Sequence, residues 1–310
     1  MTQTARTVLP TDLVALVSYD GRVYANQAMT RDRIGTEESP HPLETAFEQW
    51  FSFATGRHTC VSVKGPTLRG LVSARKRGSK QAWEIDCLID AAEGDGGVLM
   101  SLLDQITHAA GRSGAMKLFL RLPRGSEIEQ PAGRCGFQPY VRERVYRKRT
   151  EEGEAHGVAE GLRRREKADA YPLFQLYTAA VPPEVRRVEG MTLNEWTAAQ
   201  ESLGRTTQYV LDDAARLRGW LRVAGDGELG RFDVLGDAAS LDDLVEAALA
   251  KVANREWTYT LVPEYQAGLA GRLEALGFEA ADEYVVLSRR TVRPIADAVK
   301  IPAIAQTTFG

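Results

Sequence analysis

The sequence predicts an α/β protein in which one order of strands and helices occurs twice along 310 residues. Apolar residues recur at helical spacing between 98 and 110 and again between 240 and 254. Short apolar runs bounded by Gly or Pro, a pattern typical of strands, precede and follow both segments. In each half a predicted helix ends in Gly-Phe, at 136–137 and 277–278. We therefore expect two tandem domains, each with a mixed, mostly antiparallel sheet flanked by helices.

The composition, with 44% apolar and 26% charged residues, is that of an ordinary globular protein. No apolar run approaches the roughly 20 residues of a membrane span, and the first residues lack the apolar core of a signal peptide. The three cysteines, Cys60, Cys87 and Cys135, have neither metal-ligand spacing nor the even number of a disulfide set. We expect a reduced, cytoplasmic protein with no metal.

Charge is divided unevenly between the two halves. Residues 1–150 contain 21 Lys and Arg against 16 Asp and Glu, whereas residues 151–310 contain 18 against 26. A basic first half suits a polyphosphate ligand, and attraction between the two halves explains the division equally well. Neither half has a dense basic stripe interleaved with aromatic residues, so nucleic acid is not an expected partner.

The elements of the first half follow from local patterns. The sequence predicts a hairpin turn at Asp20-Gly21, an amphipathic helix at 43–53, strands at 58–63, 70–75 and 83–90, a helix from about 98, a strand at 116–122 and a short polar helix before Gly136.

The second half repeats this order after an acidic linker at 151–160. It predicts helices at 168–180 and 193–202, strands at 207–212, 219–224 and 231–235, a helix at 240–254 with a capping box of Ser240 and Asp243, a strand at 259–262 and a helix at 267–276. Each half shows one clear strand after Gly-Phe. The predicted domains are 1–150 and 161–292, followed by a tail at 293–310.

A glycine-rich loop, Glu93 to Gly97, joins the strand at 83–90 to the next helix. The first turn of a helix leaves backbone N–H groups unpaired and carries positive dipole character. Glycines let a phosphate approach these groups closely. The loop therefore indicates an anion site.

This strand, glycine loop, helix, strand and helix ending in Gly-Phe resembles the core of the GNAT superfamily, the acyl-CoA N-acyltransferases. The resemblance implies an acyl-CoA, most simply acetyl-CoA, as co-substrate and a small primary amine as acceptor. It also implies the residues that bind coenzyme A: Gly94, Asp95, Gly96, Gly97 and Val98 for the pyrophosphate, and Cys87, Leu88 and Ile89 for the pantetheine amides. Two positions depart from the family pattern, with Ala91 replacing a Gln or Arg and Ala132 replacing a tyrosine.

The strand before the loop supplies two candidates for the general base that the resemblance implies. Strand alternation puts Glu84 and Asp86 on one face, with Trp83, Ile85, Cys87 and Ile89 on the other. The alternative is that both carboxylates lie on a solvated face. A carboxylate with an ordinary pKa is a weak base, so catalysis requires burial to raise it.

In the second half the loop at 235–240 has one glycine and places Asp237 where a phosphate would bind. Leu273 occupies the tyrosine position, and Tyr265 lies one turn too early. We expect this half to be non-catalytic. The segment 182–187 lies between predicted helices, in the region that shapes the acceptor site in the family.

A second interpretation of the whole chain stays open. Both halves have lost residues of the family pattern, and the fold would then serve as a ligand-binding or assembly module. The tail could lie on the other half or on a second subunit, or be disordered; our hypothesis is that it docks on the protein surface, and a homodimer stays open.

Overall fold

The computed structural model describes residues 5–7, 25–36, 56–64, 67–91, 96–150, 157, 159–213 and 216–291. Several predicted features lie outside these ranges: the turn at Asp20-Gly21, the helix at 43–53, Gly94 and Asp95, nearly all of the linker, and the tail. No helix within the described ranges is both long and apolar enough to cross a membrane.

The strands and helices of the described residues follow the predicted order closely. The strands are β1 (Arg6–Thr7), β2 (His58–Lys64), β3 (Thr67–Lys76), β4 (Ala82–Asp90), β5 (Lys117–Pro123), β6 (Gln138–Arg149), β7 (Leu162–Arg164), β8 (Thr206–Asp212), β9 (Leu217–Asp226), β10 (Leu229–Gly236), β11 (Trp257–Pro263) and β12 (Glu279–Arg290). The α-helices are α1 (Gly96–Arg112), α2 (Glu129–Arg134), α3 (Ala170–Ala180), α4 (Pro183–Glu189), α5 (Leu193–Ala199), α6 (Leu241–Val252) and α7 (Ala267–Ala275).

The twelve strands form one sheet in the order β1-β2-β3-β4-β5-β12-β6-β11-β10-β9-β8-β7. The order is symmetric: if each strand of the first half is exchanged with its counterpart in the second (β1 with β7, through to β6 with β12), the order read from the opposite edge is the same. The last strand of each half has crossed to the other: β12 pairs with β5 and β6, and β6 pairs with β11 and β12. Each half therefore obtains from the other the second strand that its own sequence lacks after Gly-Phe.

The helices cover the two faces of the sheet in different ways. On one face, α1 and α2 pack on the first half and α6 and α7 on the second, around two separate clusters of buried side chains. The opposite face carries α3, which packs on β9 and β10, and α5, which contacts β4 and packs Trp196 against Tyr177 of α3 and Trp220 of β9. In α1 the buried positions include Val98, Leu99, Leu102, Leu103, Ile106 and Ala110, which confirms the predicted apolar stripe.

Two details of the second half differ from prediction. Residues 183–189 form the helix α4, because Pro183 at its first position needs no N–H partner there, whereas the segment 182–187 was predicted only to lie between helices. The capping box is wrong: the Ser240 hydroxyl donates to the carbonyls of Arg218 and Asp237, 2.9 Å away in each case, and caps no N–H of α6.

The predicted alternation along β4 is wrong beyond Asp86. A bulge in the β3–β4 pairing places Ser73 opposite Cys87 and Ala74 opposite Ile85, which leaves Asp86 as the extra residue. Leu88 therefore packs beneath α1 with Trp83 and Ile85, while Cys87 and Ile89 join Val61 and Leu71 on the opposite face.

Candidate active site

The sheet has two openings, each between a pair of parallel strands. Pairing between β4 and β5 covers only 82–84 and 117–119, although both strands continue. Pairing between β10 and β11 likewise stops at Phe232 and Thr260. Backbone groups on the facing edges then need other partners, and an extended ligand can supply them.

In the first opening those partners come from the chain itself. Residues 25–36, here called the strap, run from β4 towards the centre of the sheet. The amide of Leu88 donates to Asn26 Oδ1 (2.8 Å), and the Leu88 carbonyl accepts from the amide of Gln27 (2.9 Å). Asn26 Nδ2 donates to the carbonyl of Asp86 (3.1 Å), and the amide of Met29 donates to the carbonyl of Arg121 (3.0 Å). The backbone of Leu88, which the resemblance assigns to pantetheine, is thus already hydrogen-bonded.

Glu84 and Asp86 are buried, with 2% and 3% of their surface exposed, so they do not form a solvated face. Glu84 accepts from Arg75 Nε (2.7 Å) and Arg77 Nε (3.0 Å). Burial raises the pKa of Glu84, as does the nearby Glu201 carboxylate, and the two arginines oppose this rise. The catalytic role expected for Glu84 stays a prediction, while its geometry is that of a structural ion pair.

Asp86 also has a structural partner on each oxygen. Ser73 Oγ donates to Oδ1 at 2.6 Å, and Arg57 Nε lies 2.8 Å from Oδ2. Both oxygens of Asp86 are thus held by structural partners, one of them a guanidinium group. The expected role of Asp86 as a base therefore also stays a prediction.

The described part of the glycine loop begins α1. Gly96 and Gly97 form its first turn, and Val98 is buried. A Cβ atom at Gly96 would meet no atom of the described residues within 4 Å, so a larger side chain there would not collide with any of them. Gly96 is therefore a position where a substitution tests phosphate binding without disturbing packing.

A buried network of charges links the two openings. Arg31, from the strap, lies 2.6 Å from Glu143 and from Asp233. Arg121 bonds to Glu143 (2.8 Å) and Glu201 (2.5 Å). The network contains five arginines and five carboxylates: Arg31, Arg75, Arg77, Arg121 and Arg222 with Asp32, Glu84, Glu143, Glu201 and Asp233. Its formal charges balance.

At the second opening the structure has a cavity of about 120 Å³. Its walls are α3, α4 and α5 on one side and the strands β6, β9, β10 and β11 on the other. Five of the lining side chains are aromatic and eight are charged; the aromatic ones are Tyr140, Tyr177, Trp196, Trp220 and Tyr265. The rings of Trp196 and Tyr177 lie 5.3 Å apart, and those of Trp196 and Trp220 lie 5.8 Å apart.

The turn between α4 and α5 sets one edge of this cavity. A Cβ atom at Gly190 would lie 2.2 Å from the amide of Trp196, so only glycine allows the two helices to approach this closely. Thr192 Oγ1 accepts from the amide of Glu195 (3.3 Å) and begins α5. The result is that Glu189, at the end of α4, and Trp196 line one cavity.

Glu189 differs from the other carboxylates of the cavity. It accepts from Tyr177 Oη at 3.1 Å and from Tyr140 Oη at 3.5 Å. Among the described residues no Arg or Lys lies within ion-pair distance of its carboxylate, and Lys117 Nζ donates instead to its main-chain carbonyl (3.3 Å). Burial raises the pKa of Glu189, opposed in part by Arg77 and by the Tyr177 hydrogen bond. It is the carboxylate most suited to accept a proton.

Tyr265 and Gln266 enter the same opening from the loop between β11 and α7. Burial, and then the nearby Glu189 carboxylate, hold the pKa of Tyr265 well above its ordinary value, so its hydroxyl keeps its proton at neutral pH. Gln266 Nε2 donates to the carbonyl of Val234 at 3.3 Å. Leu273, at the family's tyrosine position, is buried under α7 on the other face.

The N-terminus of α6, beside this opening, is occupied by an acidic side chain. Asp237 Oδ1 accepts from the amide of Ser240 (3.0 Å), and Arg216 and Arg218 lie 3.4 and 3.5 Å from Oδ2. Burial alone would raise the pKa of Asp237, but the Ser240 hydrogen bonds and Arg218 outweigh it and lower the pKa. The expected aspartate is therefore present with two guanidinium groups beside it.

Sequence reasoning did not find Glu189, Tyr177 or Trp196. The one signal near them was the segment 182–187, which the family resemblance placed beside the acceptor site. That segment forms most of α4 and leads directly into Glu189.

Known structures share this architecture over nearly the whole chain. A GCN5-related N-acetyltransferase from Sphaerobacter thermophilus is 15% identical, with a TM-score of 0.52 over 95% of this chain and 97% of that one. A putative acetyltransferase from Pyrococcus horikoshii is 10% identical, with a TM-score of 0.53 over 93% and 89% of the two chains. No protein-family model and no curated protein matches the sequence.

The chain thus has an acyl-CoA N-acyltransferase fold. Specifically, it is a tandem form of the GNAT superfamily fold, as the sequence predicted. These identities are low enough that they establish the fold alone.

Proposed function

We propose that the protein is an acyl-CoA-dependent N-acyltransferase whose reaction takes place in the cavity between β10 and β11. One observation carries the proposal. A half-buried carboxylate without an ion-pair partner among the described residues, Glu189, and a protonated phenol, Tyr265, face one cavity where the strands of a GNAT-type sheet separate.

The backbone of β10 supports a place for the pantetheine arm. Leu88 in β4 and Val234 in β10 occupy equivalent positions in the two halves. Gly70 of β3 pairs with Asp90, two residues after Leu88, and Gly219 of β9 pairs with Gly236, two residues after Val234. At Leu88 the strap holds the backbone, whereas the Val234 carbonyl is held by one glutamine side chain. A side chain can rotate away when an amide of the ligand replaces its hydrogen bond.

The same opening provides positive groups for phosphates. Arg216 and Arg218 lie beside the N-terminus of α6, where Asp237 and the first-turn residues Asp242 and Asp243 are also found. Arginine binds phosphate through paired N–H donors. We expect the pyrophosphate to draw these guanidinium groups away from Asp237.

The groups of the cavity supply a balanced acyl transfer. Glu189 takes a proton from the substrate ammonium, and the neutral amine attacks the thioester carbonyl carbon. The C–S bond breaks as the C–N bond forms, and the leaving thiolate takes the proton of Tyr265. The second proton of the attacking nitrogen returns to the Tyr265 oxygen, and Glu189 releases its proton to solvent after the amide has formed. A raised pKa brings Glu189 closer to neutral pH, where a general base works best.

The first half remains the alternative location. There the loop of Gly94, Asp95, Gly96, Gly97 and Val98 would bind the pyrophosphate and Glu84 or Asp86 would act as base. This requires the strap to leave β4, at the cost of the Asn26 and Gln27 hydrogen bonds.

A second candidate function is binding without chemistry. It is favoured by two specific contacts: the strap on Leu88 in the first half and Asp237 at the helix N-terminus in the second. The fold would then serve as a ligand-binding or assembly module.

Calorimetric titration with acetyl-CoA and desulfo-CoA tests the proposal, with Gly96→Leu as the matched variant. We expect one site per chain, with an affinity that Gly96→Leu leaves within twofold. Loss of binding in Gly96→Leu would indicate that acetyl-CoA binds in the first half. The transferase proposal fails if the wild-type protein binds neither ligand at millimolar concentration.

A further inference from the structure

The geometry points to a narrower acceptor: a small organic monocation about the size of one ring, bound by its ammonium group at Glu189 and by its apolar body among the aromatic side chains. This inference rests on the cavity being the acceptor side of the proposed transferase. It chooses among amines that the fold alone does not distinguish.

Charge indicates a single cation. The five arginines and five carboxylates of the network neutralise one another, and Glu189 is a further carboxylate beside them. A half-buried carboxylate that has hydrogen bonds but no ion-pair partner among the described residues is costly, and a bound cation lowers that cost. A second ammonium on the same ligand would instead meet the guanidinium groups of Arg31, Arg121 and Arg222, which line the same cavity.

The aromatic lining indicates an ammonium attached to an apolar body. The rings of Tyr177, Trp196 and Trp220 follow one another at 5.3 and 5.8 Å, and cations bind favourably within about 6 Å of such ring faces. Phe174 backs this cluster, with its ring 5.9 Å from that of Trp196. The same rings provide the flat walls on which an apolar ligand packs.

The volume limits the size of the ligand. A cavity of about 120 Å³ is close to the roughly 150 Å³ of an engineered apolar cavity, in another protein, that binds benzene. One ring or a branched alkyl group therefore fits. An aminoglycoside, with several rings and several ammonium groups, does not fit by size or by charge.

The test measures amine binding without any acyl-CoA. Phenethylamine, benzylamine and isobutylamine are titrated into the full-length protein, followed by calorimetry and by tryptophan fluorescence, because Trp196 and Trp220 line the cavity. The neutral 2-phenylethanol serves as the uncharged counterpart of phenethylamine. Glu189→Gln keeps the size of the side chain, and Glu184→Gln, exposed on the same helix, is the matched control.

We expect saturable binding of at least one of the three amines, with affinity at least tenfold lower in Glu189→Gln and unchanged in Glu184→Gln. Glu189→Gln should not weaken the binding of 2-phenylethanol. The inference is overturned if none of the three amines binds saturably, or if Glu189→Gln binds them as tightly as the wild type. The amine titrations contain no acyl-CoA, so a negative result in them says nothing against acetyl-CoA binding. Conversely, a negative result in the acetyl-CoA titration does not affect the measured binding of the amines.

Discussion

The backbone amide of Leu88 donates a hydrogen bond of 2.8 Å to the side chain of Asn26, which precedes it by 62 residues. The same side chain donates to the carbonyl of Asp86 and accepts from the amide of Ala28. The Asn26 side chain thus forms hydrogen bonds with backbone groups of β4 that a neighbouring strand would normally bind. This contact closes the first opening of the sheet and leaves the second for a ligand.

Asn26→Ala should destabilise the protein by about 2 kcal/mol, because it leaves the buried amides of Leu88 and Ala28 without this partner at roughly 1 kcal/mol or more each, while the Asp86 carbonyl keeps its bond from Arg33. Urea unfolding measures the change. Gln27→Ala is the control, since Gln27 bonds to Leu88 through its backbone and the substitution should change stability by less than about 0.5 kcal/mol. Equal losses of unfolding free energy in the two variants would show that the side-chain amide of Asn26 does not stabilise β4.

Glu201→Gln should cost about 3–5 kcal/mol, because it removes one carboxylate of the buried network and leaves one of the five arginine charges uncompensated, although Arg121 keeps Glu143. Burial alone would raise the pKa of Glu201, but Arg121, Arg77 and Arg31 outweigh it and hold the pKa well below its ordinary value. A lowered carboxylate pKa contributes stability above the unfolded pKa of about 4.3 and loses it as pH falls.

Unfolding free energy measured between pH 7 and pH 3 tests this account of Glu201. The wild type should lose stability below about pH 4.5, and Glu201→Gln should show a flatter dependence on pH. Glu184→Gln, on an exposed side chain, should follow the wild-type curve. A Glu201→Gln variant with wild-type stability at pH 7 would contradict the network.

Because β6 and β12 are exchanged between the halves, a chain cut between the two halves should stay together. A protease site placed between Glu154 and Ala155 divides the chain after β6, which pairs with β11 on one side and β12 on the other. The two fragments should therefore co-elute in size-exclusion chromatography after complete cleavage and separate only in denaturant. Separation in native buffer would mean that each half folds with its own last strand.

If Glu189 is the general base, its protonation should set the fall of kcat/KM at acid pH, the acid limb of the pH profile. Because burial raises the pKa of Glu189 above its ordinary value, kcat/KM for acetyl transfer to phenethylamine should rise with pH through that raised pKa. Glu189→Gln should remove the limb and lower the rate by 10² or more, typical of a lost general base. Tyr265→Phe should lower kcat while the acid limb stays in place, which distinguishes the two roles. An unchanged limb in Glu189→Gln would assign the base elsewhere.

The elements of the fold followed from local patterns. In α1 the apolar stripe from Val98 to Ala110 is set by helical periodicity alone, and the Gly-Phe ends reappear with nearly equal backbone angles, φ 82° at Gly136 and 81° at Gly277. Periodicity assumes a regular strand, however, and the extra residue at Asp86 reversed the alternation beyond it.

The candidate site depended on contacts that no local pattern encodes. Arg31 reaches Asp233 across 202 residues, and β12 reaches β5 across more than half of the chain. The strap substitutes a side-chain amide for a strand, so its sequence carries no strand signal. Glu189 was missed because its lack of an ion-pair partner among the described residues is a property of the folded cavity.

Hydrogen exchange with and without saturating acetyl-CoA tests most directly where the ligand binds. The account predicts slower exchange in β10 (Leu229–Gly236) and in the loop around Tyr265 and Gln266, with exchange in the strap and at Leu88 unchanged. Protection confined to 84–91 and the start of α1, with faster exchange in the strap, would contradict it and place the ligand in the first half.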